Sequence, residues 1–365
     1  MQQQRQNKKT LKLPVLKKSK MGAVPFFFWP VCLLASILAL LMLSISEPDQ
    51  QQVETPIPPQ LYSSAFQLIG TGNRLGTYYP AGCILTDWFN SHFAEKGGIL
   101  KAVETNGSID NVRLLKEKRL LLGMAESRIV KETCLGEASS TLRLVWPLWN
   151  DVVHIVLPPV EHKPFDEEFP GNRRGFPGQK NSSTYRTSCE IFAAFGFAAH
   201  KISLNLQPDT VFDSLTKDEI GFATIQAGMP NRTVSDALIF HDCSLLSFNE
   251  AQLEKVLSKV ASSRPFTIPE GFYGESQPPV QTIGLPNLLV TRADVPEATV
   301  ELIAELLVKG SAYMKIRHRA IADIPSDPAV AFAIMNETGV PIHPGTLNWL
   351  KKTLSASATV QTGDD

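Results

Sequence analysis

Signatures of metal, nucleotide and covalent chemistry are what this 365-residue chain lacks. It contains no H-E-x-x-H, paired C-x-x-C, G-x-S-x-G elbow or P-loop, which excludes the common zinc-protease, zinc-ribbon, serine-hydrolase and nucleotide-triphosphate sites. Cysteine is scarce, five residues in all. Cys32 lies in an apolar run, and spacing cannot choose a pairing among Cys83, Cys134, Cys189 and Cys243. Cys83 and Cys189 have apolar helical neighbours and read as small buried thiols. The seven histidines are scattered, and His154 and His318 read as structural. His241-Asp242-Cys243 is a polar triplet with no partner motif, so no catalytic site is expected there. No cofactor or metal site is expected either.

Positive charge is missing from most of the chain. Residues 1–20 carry seven of the 35 basic residues and no acid, leaving 28 basic against 36 acidic side chains elsewhere, a net charge of about −8. No basic stripe with interleaved aromatics remains, so nucleic acid is not an expected partner.

The basic segment precedes an uncharged run over residues 21–46 that includes PFFFWPVCLLASILALLMLS. This run meets the roughly 20 residues a membrane-spanning helix needs and exceeds the roughly 7–15 of a signal-peptide core. A single-pass anchor in the cytoplasmic membrane is expected, with the basic side cytoplasmic and the body on the periplasmic or extracellular side. Ser44-Ile45-Ser46 also fits a cleavage site, and either outcome exports the body. Residues 47–64 are polar and rich in Pro and Gln, with no apolar period, and read as an extended linker.

From Ala65 onward short apolar runs (AFQLIG, KAVET, LLGMA, VVHIVL) alternate with helical patterns over 78–94, 109–118, 184–195 and 298–316. Such alternation predicts an α/β body with mostly parallel sheets. The segment 158–180, rich in Pro, Gly and charge, reads as a crossover, and GESQPP before TIGLPNLLV reads as a return. Residues 65–155 are expected to build a first lobe, 156–279 a second, and 280–365 to come back to the first and end in a tail.

Four strand-to-helix turns rich in Gly, Ser, Thr and Asn stand out, at 71–79, 105–111, 126–129 and 177–184. Turns of this kind bring backbone N–H groups and hydroxyls to the positive end of a helix, which suits an anion. A small carboxylate is therefore the expected ligand.

The motifs TGNRLGTYYPAG at 71–82, TNGSIDNVRLLKEKRLLLGMAES at 105–127, PFTIPEGFYGESQPPVQTIGLPNLLVTRADVP at 265–296 and VPIHPGTLNWLKK at 340–352 resemble, in order, those of the TAXI family. Members of that family are the extracytoplasmic solute-binding subunits of one class of TRAP transporters. The resemblance implies a type II periplasmic-binding-protein fold, two α/β lobes that close on a ligand by hinge motion. It further implies a solute such as glutamate or a 2-oxoglutarate-like acid, delivered to a TRAP-type permease. A tethered ligand sensor with no transport role is the competing expectation.

By the same resemblance Thr71, Gly72, Asn73, Tyr78 and Tyr79 line the pocket from the first turn. Thr105, Asn106, Ser108 and Asn111 belong to the second, with Ser108 placed as an N-cap and the two amides suited to a carboxylate. Ser183 and Thr184 stand where the family's glycine-serine-glycine-threonine turn opens a helix. That turn is longer here, so Lys180, Asn181 or Ser182 could substitute. Gln226, Ala227, Gly228 and Pro230 match an Ala-Gly-x-Pro turn.

Two departures bear on specificity. Arg74 stands where the family has bare glycine backbone, and could pair with a second carboxylate or point into solvent. Glu126-Ser127-Arg128 replaces an uncharged glutamine followed by serine and aspartate. A carboxylate at Glu126, if it faces the pocket, favours an amino acid over a plain dicarboxylate.

Overall fold

The computed structural model describes residues 66–74, 76–93, 99–136, 141–159, 174–198, 206 and 210–361. The basic segment, the expected anchor and the linker lie outside these residues. Among the described residues no helix is long and apolar enough to cross a membrane.

Among the described residues eight strands form one mixed sheet in the order β2 (Ile99–Val103), β1 (Phe66–Gly70), β3 (Leu122–Glu126), β8 (Val280–Arg292), β4 (Leu142–Leu157), β5 (Ala223–Ala227), with β6 (Ser244–Leu245) added at β4 and β7 (Arg264–Ile268) at β8. Strands β1 (Phe66–Gly70), β2 (Ile99–Val103) and β3 (Leu122–Glu126) are joined by helical crossovers. These are α1 (Tyr78–Phe93) after β1 and α2 (Ser108–Lys116) after β2. β1 pairs in parallel with both neighbours. All five residues of β3 are buried, as a central strand with neighbours on both edges requires, whereas β2 at the edge is partly exposed. On α2 the buried positions Ser108, Asn111, Val112 and Leu115 recur at three- and four-residue spacing and set one face on the sheet. Helix α3 (Ser127–Gly136) follows β3 directly.

Two long strands make the molecule two-lobed. β4 (Leu142–Leu157) has 16 residues and β8 (Val280–Arg292) has 13. At ~3.3 Å per residue β4 reaches roughly 50 Å, enough to serve two lobes. Its start pairs with the end of β8 beside β3, and its second half pairs with β5 (Ala223–Ala227). Between these halves the register slips twice, from Leu144 to Trp146 and from Pro147 to Asn150. Proline cannot donate to a ladder, so Pro147 at a bulge marks where the strand bends from one lobe to the other.

The second lobe holds α4 (Ser183–Ala194), α5 (Val211–Thr216), α6 (Arg232–Phe240), β6 (Ser244–Leu245), α7 (Glu250–Lys259) and β7 (Arg264–Ile268). Its core joins Val153, Ile155, Phe192, Phe222, Leu246, Val256 and Ile283. The chain returns along β8 to α8 (Glu297–Lys309), α9 (Ser311–Arg317), a 3₁₀ turn, α10 (Pro328–Thr338) and α11 (Pro344–Gln361). The described residues from Phe66 onward belong to one compact unit.

Two expectations are corrected. The sheet is not mostly parallel: β8 runs antiparallel to β3, β4 and β7, and β4 antiparallel to β5 and β6. The cause is the pair of crossing strands, which must run in opposite directions to carry the chain out and back. The helix expected over 298–316 is two helices, broken at Gly310. A Cβ there would stand 2.4 Å from Trp88 Nε1, and Trp88 Nε1 donates to Leu306 O at 2.7 Å, so α1 packs against bare backbone at the break.

Candidate functional site

The turn after β1 is held from within. Thr71 Oγ1 donates to Val103 O at 2.6 Å, and Thr71 O accepts from Asn111 Nδ2, also at 2.6 Å. The second amide hydrogen of Asn111 goes to Met124 O at 2.7 Å. Thr105 Oγ1 lies within reach of Thr71 O at 3.0 Å and Asn111 Oδ1 at 2.7 Å. Asn111 thus ties the turn after β1 to the middle of β3. Asn73 and Asn106 are exposed, Gly72 is buried and Tyr79 is half-buried. Arg74 takes the solvent side: its side chain is 69% exposed and its Nε lies 2.8 Å from Glu104 Oε2.

Ser108 does not cap α2. Gly107, at φ +90°, takes the cap position, since a left-handed backbone there suits glycine. Ser108 is freed to accept from Glu126 N at 3.0 Å and to face Tyr78 OH at 3.3 Å. Tyr78 OH donates to Asn287 Oδ1 at 2.5 Å. Its ring meets Trp149 edge to face, with centroids 5.8 Å apart.

Glu126 ends β3 opposite Asn287 of β8. Its carboxylate accepts from Gln226 Nε2 of the second lobe at 2.8 Å, and Arg128 Nε stands 2.8 Å from its other oxygen without the alignment of a hydrogen bond. The Arg128 side chain is 1% exposed and pairs across the cleft with Glu190, while its Nη2 donates to Thr187 Oγ1 at 3.0 Å. Outside this pair, Arg186 of α4 holds both oxygens of Glu132 in α3 at 2.6 and 2.7 Å and donates to Glu190 at 3.0 Å. Burial pushes the Glu126 carboxyl up, against the opposing pull of Arg128 and Gln226. The Arg186 guanidinium holds the Glu132 carboxyl below the usual range.

Farther in lies Asp151, a residue no sequence motif singled out. Trp149 Nε1 donates to its Oδ1 at 3.0 Å. Burial pushes this carboxyl up to about 7 against the pull of the Trp149 and Asn287 donors, and the Glu126 charge adds to the rise. Burial and the Asp151 charge likewise raise the Tyr78 hydroxyl.

From the second lobe, Gly228 N donates to Thr77 Oγ1 at 2.9 Å. A Cβ on Gly228 would stand 2.9 Å from Trp149 Nε1 and 3.0 Å from Thr77 Cγ2, so only glycine lets the lobes approach this closely. Ala227 is buried, and Pro230 follows a cis peptide bond. At the start of α4, Ser182 is the cap, accepting from Tyr185 N at 3.1 Å. Ser183 Oγ is buried with no hydrogen-bond partner, Thr184 is half-buried, and Lys180 and Asn181 are exposed.

Of the expected residues, the structure brings Tyr78, Ser108, Glu126, Gln226 and Gly228 to the seam between lobes, and buries Ser127 at the start of α3. It adds Thr77, Arg128, Trp149, Asp151, Thr187, Glu190 and Asn287. The available signal was polarity out of place: Asp151 and Asn287 interrupt the apolar runs WPLWNDVVHIVL and TIGLPNLLV.

A buried polar seam between two α/β lobes, joined by two antiparallel crossing strands, is the architecture of two-lobed binding proteins. The chain belongs to the NMT1-like family, whose model matches residues 69–352. Among solved structures it is similar to the alkanesulfonate-binding protein SsuA from Xanthomonas axonopodis pv. citri bound to MOPS. That match has 14% identity over 75% of this chain and 83% of that one, with a TM-score of 0.41. The periplasmic aliphatic sulphonate binding protein SsuA from Escherichia coli matches at 12% identity over 82% and 89%, with a TM-score of 0.42. The GluR0 ligand-binding core in complex with L-glutamate matches at 10% over 71% and 99%, with a TM-score of 0.44.

Proposed function

We propose that this chain is an extracytoplasmic solute-binding protein that captures a small amino acid or organic acid between its lobes and passes it to a membrane permease. The carrying observation is Arg128, a buried first-lobe cation whose partners Glu190 and Thr187 belong to the second lobe. A solute that contacts both lobes only when they are shut favours the shut state, so binding and closure are one equilibrium. Resemblance to the TAXI motifs makes a TRAP-type permease the partner and a glutamate-like acid the ligand. The uncharged run at 21–46 makes the cytoplasmic membrane the place, with the body outside it.

A thermal-shift screen of the purified full-length chain against amino acids and organic acids tests this reading. A solute bound only by the folded state raises the melting temperature with concentration, by about 2.7 kcal/mol of added stability at a hundredfold excess over Kd. No shift with any small solute, or turnover of one, would count against it.

A further inference from the structure

The seam leaves buried polar atoms of both kinds without a hydrogen-bond partner. Arg128 Nε and Glu126 Oε1 face only each other, as an ion pair at 2.8 Å without hydrogen-bond alignment, Asn287 Nδ2 is a further donor and Gln226 Oε1 a further acceptor, and the Ser183 hydroxyl can play either part. Asn287 is 1% exposed; its amide makes no aligned hydrogen bond, although it stands close enough to Asp151 to hold that carboxyl down. Buried groups left so cost free energy unless another state of the molecule pairs them. A simple anion would satisfy the donors and leave the Glu126 carboxylate facing it, and a simple cation would satisfy the acceptors and leave the Arg128 guanidinium facing it. A solute carrying both charges satisfies both sets.

The topology divides the work. Glu126 and Arg128 both belong to the first lobe, while Gln226 and Glu190, which now occupy them, belong to the second. Asp151 and Asn287 lie on the crossing strands and stay with either lobe. When the lobes part, Arg128 loses Glu190 and Glu126 loses Gln226, so one cation and two carboxylates are presented together.

We propose that Arg128 receives the carboxylate of the solute while Asp151 and Glu126 receive its ammonium, so that the cleft selects amino acids over the matching 2-oxo acids. This inference rests on the solute-binding reading and assigns Asp151 as its specificity-determining residue. The charged and titratable groups facing Asp151 are Tyr78 from α1 and Glu126 from β3, with the Trp149 and Asn287 donors from β4 and β8.

The test is calorimetric titration of the full-length chain with matched pairs: L-glutamate and 2-oxoglutarate, L-alanine and pyruvate, L-leucine and 4-methyl-2-oxopentanoate. At least one amino acid should bind about tenfold or more tightly than its oxo acid, since the oxo acid leaves the buried carboxylates without a cationic partner. Asp151→Asn should bring the pair to within about threefold by weakening the amino acid, leaving the oxo acid unchanged. If Asp151→Asn does not fold, the wild-type preference must still grow from pH 6 to pH 8 as the carboxyl ionises. An oxo acid that binds as well as its amino acid, or a pH-independent preference, overturns the inference and leaves solute binding intact. Binding of an amine-free acid by a cleft that takes no amino acid has the same meaning. Failure of every small solute to bind overturns both readings.

Discussion

Arg128 and Glu126 are two residues apart in sequence and form the buried charge pair on which the two lobes close. Their approach of 2.8 Å is completed from the other lobe, by Glu190 on the guanidinium and Gln226 on the carboxylate. Buried pairs of this kind are weak sources of stability but costly to break, because one charge is left without its partner. They therefore set which lobe arrangement is allowed more than how stable the fold is.

Replacing Arg128 by Gln removes the cation and leaves Glu126 buried and unpaired. A loss of about 3–5 kcal/mol is expected in denaturant unfolding. The double change Glu126→Gln with Arg128→Gln should recover much of it. A single-variant loss below about 1 kcal/mol would mean the pair is solvated.

Gly228→Ala puts a methyl group against the Trp149 indole and Thr77. Overpacking costs about 1–3 kcal/mol where neighbours cannot move, and here the neighbours belong to the opposite lobe and the crossing strand. The expected result is a more open average shape, seen as a larger radius of gyration in solution scattering, with weaker solute binding. Unchanged scattering and affinity would show that the Gly228 contact does not limit closure.

Asp151 predicts a pH dependence of definite sign. Its folded carboxyl is raised to about 7 from an ordinary value of 3.8, so the folded state binds the proton more tightly. Its contribution is fully present below the unfolded value and is lost as pH rises through about 7. His154 acts oppositely: burial lowers it from 6.5 to about 4, and its contribution is lost as pH falls through that range. The clean quantity is the wild-type stability minus that of Asp151→Asn. It should decline between pH 4 and pH 7 by a few kcal/mol, at roughly 1.4 kcal/mol per pKa unit, and then level off. A difference independent of pH would place the Asp151 carboxylate in solvent.

Asn111→Ala tests whether that amide serves the fold. It removes one donor from Thr71 O, which keeps Thr105 Oγ1 at 3.0 Å, and the side-chain donor from Met124 O, at about 1–3 kcal/mol for an unsatisfied buried group. Marked destabilisation fits the tie from the β1 turn to β3. Full stability combined with lost solute binding would instead make Asn111 a ligand contact.

Short-range pattern made the first lobe readable. The runs AFQLIG, KAVET and LLGMA fall on β1, β2 and β3 to within two residues, turns of small polar residues lead from the first two into α1 and α2 while α3 follows β3 directly, and both intervening helices form where the period places them. What pattern could not show is set over long range. The antiparallel course of β4 and β8 follows from two strands serving two lobes, and the helix break at Gly310 depends on Trp88, 222 positions earlier. Ser108 looked like a cap because its residue type suits one, yet the left-handed backbone at Gly107 displaced it into the seam. Glu126 and Arg128 were both legible as charges in the departing Glu126-Ser127-Arg128 stretch, whereas the cross-lobe anion Glu190 joins them only in three dimensions. Arg74, the alternative cation, is spent on Glu104 at the surface.

The central claim, that a solute is held between the two lobes, is tested most directly by hydrogen exchange on the full-length chain with and without the solute found by thermal shift. Slower exchange is predicted together in segments 126–134 of the first lobe and 183–190 of the second, with α8 unchanged. Protection confined to one lobe, or none in either segment, would contradict an interlobe site.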